Sequence, residues 1–289
     1  MSQNSFIQRL TQIERINFLL TNRIPRRYIT LFMGWYSKLE NRLISRFSIA
    51  IWKRFSSELD FSEAEKTEFD SLHDCFIRQL KPGARTIDQN PGVIVSPCDA
   101  IVGTHGQVKD TTLYQAKGFP YTLGDLLSNP ELVKRYKNGH YVTLRLKSSM
   151  YHRFHAPYDC HVTKVNYISG DTWNVNPVAL KRIERLYCKN ERAVIDLNLA
   201  QPGYHMTLVP VAAILVAGIK LHCLPEVLDL RYKGPHQLAC NTDYKKGDEL
   251  GYFQHGSTII VFASNNFKIA DQLKTDSIIR MGQPLLHFD

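Results

Sequence analysis

The stretch Tyr252-Phe253-Gln254-His255-Gly256-Ser257-Thr258-Ile259-Ile260-Val261-Phe262 sets a hydroxyl nucleophile between two apolar runs. A Gly-Ser-Thr step followed by β-branched residues reads as a tight bend entering a strand. In the plain reading it is a hairpin corner, where Gly supplies backbone freedom and Ser or Thr bonds locally. In the sharper reading the Ser257 hydroxyl attacks its own backbone. Which one holds depends on what else the chain supplies.

Two further segments carry reactive groups. In Ser96-Pro97-Cys98-Asp99-Ala100-Ile101 a carboxylate stands between apolar runs, where it is partly buried and needs a partner. It also suits an Asx-turn between two strands. In Tyr151-His152-Arg153-Phe154-His155-Ala156-Pro157 two histidines lie three apart. They would face opposite sides of a strand but share one face of a helical turn. As metal ligands they would need Cys98, Cys160 or His161, and no second ligand pair has a familiar spacing, so no metal is expected. As proton carriers near neutral pH they would need a carboxylate to fix the tautomer. Asp99, His155 and Ser257 are the elements of a base-activated nucleophile.

The elements that must position these groups follow from composition and pattern. The 289 residues suffice for a large core, at 44% apolar and 22% charged. Of the net charge of +9, residues 1–54 hold +8, from ten Lys/Arg against two Asp/Glu. A basic arm on a near-neutral body points to an anionic surface. Leu39, Leu43, Phe47 and Ile51 recur every four residues, while Lys38, Arg42, Arg46 and Lys53 take another face. With Trp35, Tyr36 and Trp52, this suits a helix lying on an anionic membrane; the alternative is a helix packed on the protein's own core. No nucleic-acid motif accompanies it. Residues 4–54 are predicted helical, and a capping box at Ser62-Glu63-Ala64-Glu65 predicts a helix running toward Leu80. From Gly92 on, short β-rich runs separated by Gly, Pro and Asn predict strands, including Val93–Val95, Tyr141–Leu146, Met206–Ile219 and Ser257–Ala263. Short helices are expected near Tyr121–Leu127, Val178–Tyr187 and Phe267–Leu273. The reading is α+β: a helical membrane-associating region, 1–80, then a mostly antiparallel β-rich catalytic domain, 81–289. The six scattered cysteines predict no disulfide framework and a reducing compartment. The longest apolar run, Val209 to Ile219, is too short to span a bilayer.

Several motifs in order carry a resemblance over nearly the whole chain. They are Ile24-Pro25-Arg26-Arg27 with Gly34-Trp35, Ser96-Pro97-Cys98-Asp99, Gln115-Ala116-Lys117-Gly118 and Tyr151-His152-Arg153-Phe154-His155-Ala156-Pro157. Asn190-Glu191-Arg192, Gly256-Ser257-Thr258 and Arg280-Met281-Gly282-Gln283-Pro284-Leu285 complete the set. The chain resembles bacterial, pyruvoyl-dependent phosphatidylserine decarboxylase. It departs at His255, where the family usually has Leu, at Ala100 for Gly, and at Met150 for Asp.

The resemblance implies an inactive precursor. His155, oriented by Asp99, would take the proton of Ser257, whose oxygen attacks the Gly256 carbonyl. Elimination and hydrolysis would leave a β chain, 1–256, and an α chain, 257–289, that begins with a covalent pyruvoyl group. That group would form a Schiff base with the serine amine of phosphatidylserine and accept the electrons left as carbon dioxide departs. His152 would protonate the remaining carbon, unless the two histidines exchange roles. Phosphatidylethanolamine would be the product, made at the cytoplasmic face of the cell membrane by a peripheral β/α heterodimer, with a homodimer open. Competing readings are a pyruvoyl decarboxylase of a soluble amino acid and a non-catalytic lipid-binding protein. A serine hydrolase is further off, since no Gly-x-Ser-x-Gly elbow surrounds Ser257.

Overall fold

The run Ser257–Ala263 forms a strand that is buried along its whole length. Ile259, Val261 and Ala263 enter one apolar cluster, and Ile260 and Phe262 enter another on the opposite face. A strand covered on both faces reads as an unbroken apolar run, as this one does. A computed structural model of the chain describes residues 25–56, 58–116, 119–215, 218–254 and 257–289.

The first strands are β1 (Val93–Val95), β2 (Ala100–Gln107), β3 (Thr112–Ala116), β4 (Phe119–Thr122), β5 (His140–Leu146) and β6 (Arg153–His155). There follow β7 (Cys160–Ile168), β8 (Arg192–Leu199), β9 (His205–Ala212), β10 (Gly218–Leu221), β11 (Val227–Asp229) and β12 (Gln237–Tyr244). The last are β13 (Glu249–Phe253), β14 (Ser257–Ala263), β15 (Phe267–Ile269), β16 (Ile278–Ile279) and β17 (Pro284–Phe288). An eight-stranded sheet runs β12-β7-β8-β9-β14-β5-β2-β16. A four-stranded sheet, β11-β10-β13-β6, carries the two histidines' segment, and β1-β17-β15 and the hairpin β3-β4 complete the set. Pairing between these strands is antiparallel throughout. The fold is α+β, with strand far in excess of helix.

The arm is helical at α1 (Arg26–Tyr36) and α2 (Arg42–Phe55). On α2, Leu43, Phe47, Ile51 and Phe55 are exposed, while Ser45 and Ser48 turn inward to bond the Phe69 carbonyl and the Tyr36 hydroxyl. Ile49 and Trp52 on the inner side pack near Phe69, Cys75 and Phe76, but the stripe Leu43, Phe47, Ile51 and Phe55 does not pack on the protein's own core. The predicted helices of residues 4–24 lie outside the described residues.

Three local expectations are corrected. Residues 62–80 are not one helix: Ser62 bonds the Asp60 carboxylate instead of capping, Lys81 N–H and Glu65 N–H reach across to Glu63 and Gln79 carbonyls, and only α3 (Leu72–Phe76) is helical. Phe267–Ile269 is a strand, because it pairs with Leu286–Phe288. The helix expected over 178–187 is broken into short pieces at Pro177–Leu180 and Leu186–Lys189 by Arg185, whose φ is 52°. The cysteines also differ from expectation: Cys223 and Cys240 are joined, whereas Cys75, Cys98, Cys160 and Cys188 are free. A lone pair seventeen residues apart leaves no motif to read.

Candidate active site

Ser257 heads β14, in register with Leu146 of β5 on one side and Ala212 of β9 on the other. It is fully buried, and its Oγ has no hydrogen-bond partner among the described residues; neither does Thr258 Oγ1. A buried hydroxyl is normally bonded, so this one has capacity left for a water, a substrate or a reaction. Ser257 lines a cavity of about 610 Å³. Arg145, Lys147, Ser149, Asn174 and Asn176 supply its polar wall, and Phe55, Ile214 and Leu215 an apolar one. Lys147 is also paired with Glu58 at 2.8 Å.

His152 precedes β6 and is fully buried. Its Nδ1–H donates to the Met150 carbonyl at 2.8 Å, which assigns the lone pair to Nε2. That Nε2 is buried and unpartnered. The ring lies on Phe76 with centroids 4.1 Å apart, and Arg78 holds the preceding loop through the Ser149 carbonyl at 2.9 Å. Burial pushes the imidazole down to about 3, so His152 is held neutral. Two links bring its loop to Ser257: Leu146 pairs with Ser257, and Phe253 N–H donates to the His152 carbonyl at 3.0 Å.

Asp99 and His155 lie in other company. The Asp99 carboxylate takes a two-pronged contact from Arg85, 2.5–3.2 Å, and the Met281 N–H at 2.9 Å. Arg85 continues to Glu63 at 2.8 Å, and Arg280 reaches Glu63 at 3.2 Å. Gly282, at φ +90°, makes the turn that presents Met281 N–H. The His155 ring is held by the Gly247 carbonyl at 2.9 Å and the Tyr151 hydroxyl at 3.0 Å. Burial lowers its pKa, with partial relief from the Gly247 carbonyl. The expected Asp99–His155 hydrogen bond is therefore not formed: Arg85 and Met281 occupy the carboxylate, and both ring nitrogens are taken. The two residues are neighbours all the same, since His155 N–H donates to the Pro97 carbonyl at 2.8 Å. His155 lines a separate cavity of about 230 Å³ with Arg85, Tyr151, Glu249 and Met281. Ser257 does not line it, nor does His155 line the larger cavity.

Gly256 and His255 lie outside the described residues. Among the described residues no cluster of three or more His, Cys, Asp or Glu could hold a metal ion.

The family model for phosphatidylserine decarboxylase matches residues 72–287. The chain belongs to the phosphatidylserine decarboxylase family. Relatives named phosphatidylserine decarboxylase proenzyme include that of Haemophilus influenzae (strain ATCC 51907 / DSM 11121 / KW20 / Rd), 33% identical over 99% of both chains. That of Pasteurella multocida (strain Pm70) is 32% identical over 96% of both. That of Brevibacillus brevis (strain 47 / JCM 6285 / NBRC 100599) is 32% identical over 92% of this chain and 95% of its own. Sequence reasoning within the family missed Arg85, the true partner of Asp99, and the cavity cation Arg145. The demand for an Asp99 counter-ion was readable, but nothing in the spacing pointed fourteen residues upstream.

Proposed function

We propose that the chain decarboxylates phosphatidylserine in the cavity headed by Ser257, after cutting itself between Gly256 and Ser257. Membership of the family makes it a carboxy-lyase. The observation that supports the site is the orphaned Ser257 Oγ: a nucleophile buried at the fixed end of a central strand and facing a cavity of lipid-headgroup size. Conversion of this residue to a pyruvoyl group fits the surroundings, because no hydrogen bond of the hydroxyl is lost. When present, that carbonyl supplies the electron sink that no ordinary side chain offers.

The chain's own residues do the rest. In the precursor, His152 Nε2, unpartnered in a loop tied to β5 and β13, takes the hydroxyl proton as the oxygen attacks the Gly256 carbonyl. Asp99 and His155 act as positioning residues, tying the Pro97–Asp99, Gly247 and Met281 loops together. In the mature enzyme, Arg145 and Lys147 attract the substrate's anionic headgroup, and those negative charges favour the protonated form of His152 as the proton donor. The halves 1–256 and 257–289 stay associated through the pairing of β14 with β5 and β9.

The arm's exposed aromatics support the reading of residues 1–80 as a membrane-associating region. Tyr28, Phe32, Trp35, Phe47 and Phe55 stand in solvent beside Arg42, Arg46 and Lys53, which suits a peripheral seat on an anionic bilayer at its cytoplasmic face. No described helix is long and apolar enough to cross a membrane. The test is release of labelled carbon dioxide from carboxyl-labelled phosphatidylserine in anionic vesicles. Wild type should release it and Ser257→Ala should not; equal release from both would refute the assignment, and release from free serine alone would favour the soluble-substrate reading.

A further inference from the structure

α1 has two opposite faces. Tyr28, Phe32 and Trp35 are exposed on one, while Arg26 and Thr30 point into the body from the other. Arg26 grips the Asp171 carboxylate with two nitrogens, Nε at 3.2 Å and Nη2 at 2.6 Å, and its guanidinium lies 3.5 Å from the Trp173 ring centroid. Burial pushes the Asp171 carboxyl up, but the hydrogen bonds from Arg26 and the Thr172 N–H outweigh it and hold the group below its usual range. One turn on, Thr30 Oγ1 is 3.4 Å from Thr172 Oγ1 and accepts the Leu215 N–H at 3.1 Å. Thr30 and Thr172 are both buried.

These contacts end at the Ser257 cavity. Asn174 to Pro177, directly after the residues held by Arg26 and Thr30, form one stretch of its wall, and Ala213 to Leu215 form another. Asn190 fixes the far side of Trp173, bonding both its N–H and its carbonyl at 2.8 Å. The wall is therefore clamped between the β-sheet and α1, and α1 is the element that faces the proposed membrane.

We infer that α1 is a brace of the substrate cavity, with Arg26 and Thr30 as positioning residues that set the spacing of its two walls. The inference rests on the reading of the Ser257 cavity as the lipid site. An arm that served only as an anchor would need no bidentate pair and no buried threonine contacts on its inner face. A bidentate, stacked arginine is also a geometry that lysine does not reproduce.

The test uses full-length, self-processed protein and two substrates: dihexanoyl phosphatidylserine below its micelle-forming concentration, and long-chain phosphatidylserine in vesicles. Arg26→Ala should raise KM for the soluble lipid by about tenfold, as for loss of one charge-assisted pair, with kcat changed less than about twofold. Asp171→Ala should match it, and the double variant should be no worse than either alone. Arg26→Lys should recover only part of the loss. Thr30→Val, which keeps the ion pair, gives a second reading of the same wall and should shift KM in the same direction. An unchanged KM on soluble lipid, with reduced vesicle binding, would overturn the inference and leave α1 an anchor alone. Additive losses in the double variant would also overturn it. Wild-type protein that decarboxylates neither lipid would refute the enzymatic reading itself and the brace with it.

Discussion

Two groups of reactive residues, one around Asp99 and His155 and one around Ser257, differ in how well their polar atoms are satisfied. Around Asp99 and His155 nearly every group has a partner: Arg85, Glu63, Arg280, Met281 N–H, Tyr151 and the Gly247 carbonyl close the network. Around Ser257 the reverse holds. Ser257 Oγ and its neighbour Thr258 Oγ1 are buried without partners among the described residues, and so are His152 Nε2 and Glu191 Oε1 elsewhere. The two regions thus differ in how much hydrogen-bonding capacity is left open, and the proposed chemistry uses the open side. The residue types alone made Asp99, His155 and Ser257 look like one unit. The hydrogen bonds divide them.

The largest effect that sharpens this contrast is Ser257→Ala, which should abolish the 257–289 fragment on a denaturing gel and all carbon dioxide release. His152→Gln should slow processing or decarboxylation by about 10²–10⁴-fold, the usual worth of a positioned proton carrier, in protein that still unfolds cooperatively. Asp99→Asn acts on the other cluster. Chemical denaturation should show a loss of roughly 3 kcal/mol, because Arg85 is left largely buried with only Glu63. Its folded fraction at low temperature should still yield the fragment. Folded Asp99→Asn that never processes would restore the sequence-level triad.

Glu191 gives a pH-dependent test. Burial raises its carboxyl to about 8, although Tyr167 OH donates to it at 2.8 Å. The folded protein keeps a proton that the unfolded chain releases above about 4.5, the ordinary value. This stabilisation is thus complete below that pH and lost as pH rises toward 8. Glu191→Gln should be more stable than wild type at pH 8, by a margin that vanishes by pH 4.5, read from unfolding midpoints. The smallest effect is Tyr151→Phe, which removes one partner of His155 and should cost about 1 kcal/mol by the same measurement while leaving processing intact.

Much of the fold was readable because strands covered on both faces advertise themselves. Tyr141–Leu146 and Ser257–Ala263 are rich in apolar and β-branched residues, and they became adjacent strands inside the large sheet. Thr112–Ala116 and Gln237–Tyr244 were missed, the second because its exposed face is polar and its partner β7 is distant in sequence. The helix predicted from Ser62 failed for a local reason: Asp60 captured the hydroxyl that should have capped it. The site's residue types were legible from motif order. Their pairing was not, since the Asp99–Arg85 contact and the two orphaned atoms exist only in the folded arrangement.

The proposed chemistry requires Ser257 to end as a carbonyl at the start of a new chain. Intact-mass measurement of purified protein tests it most directly. The expected result is two species, residues 1–256 and residues 257–289, the second lighter than its sequence by one ammonia. A single uncut chain, or a C-terminal fragment that still weighs as an amino-terminal serine, would contradict it.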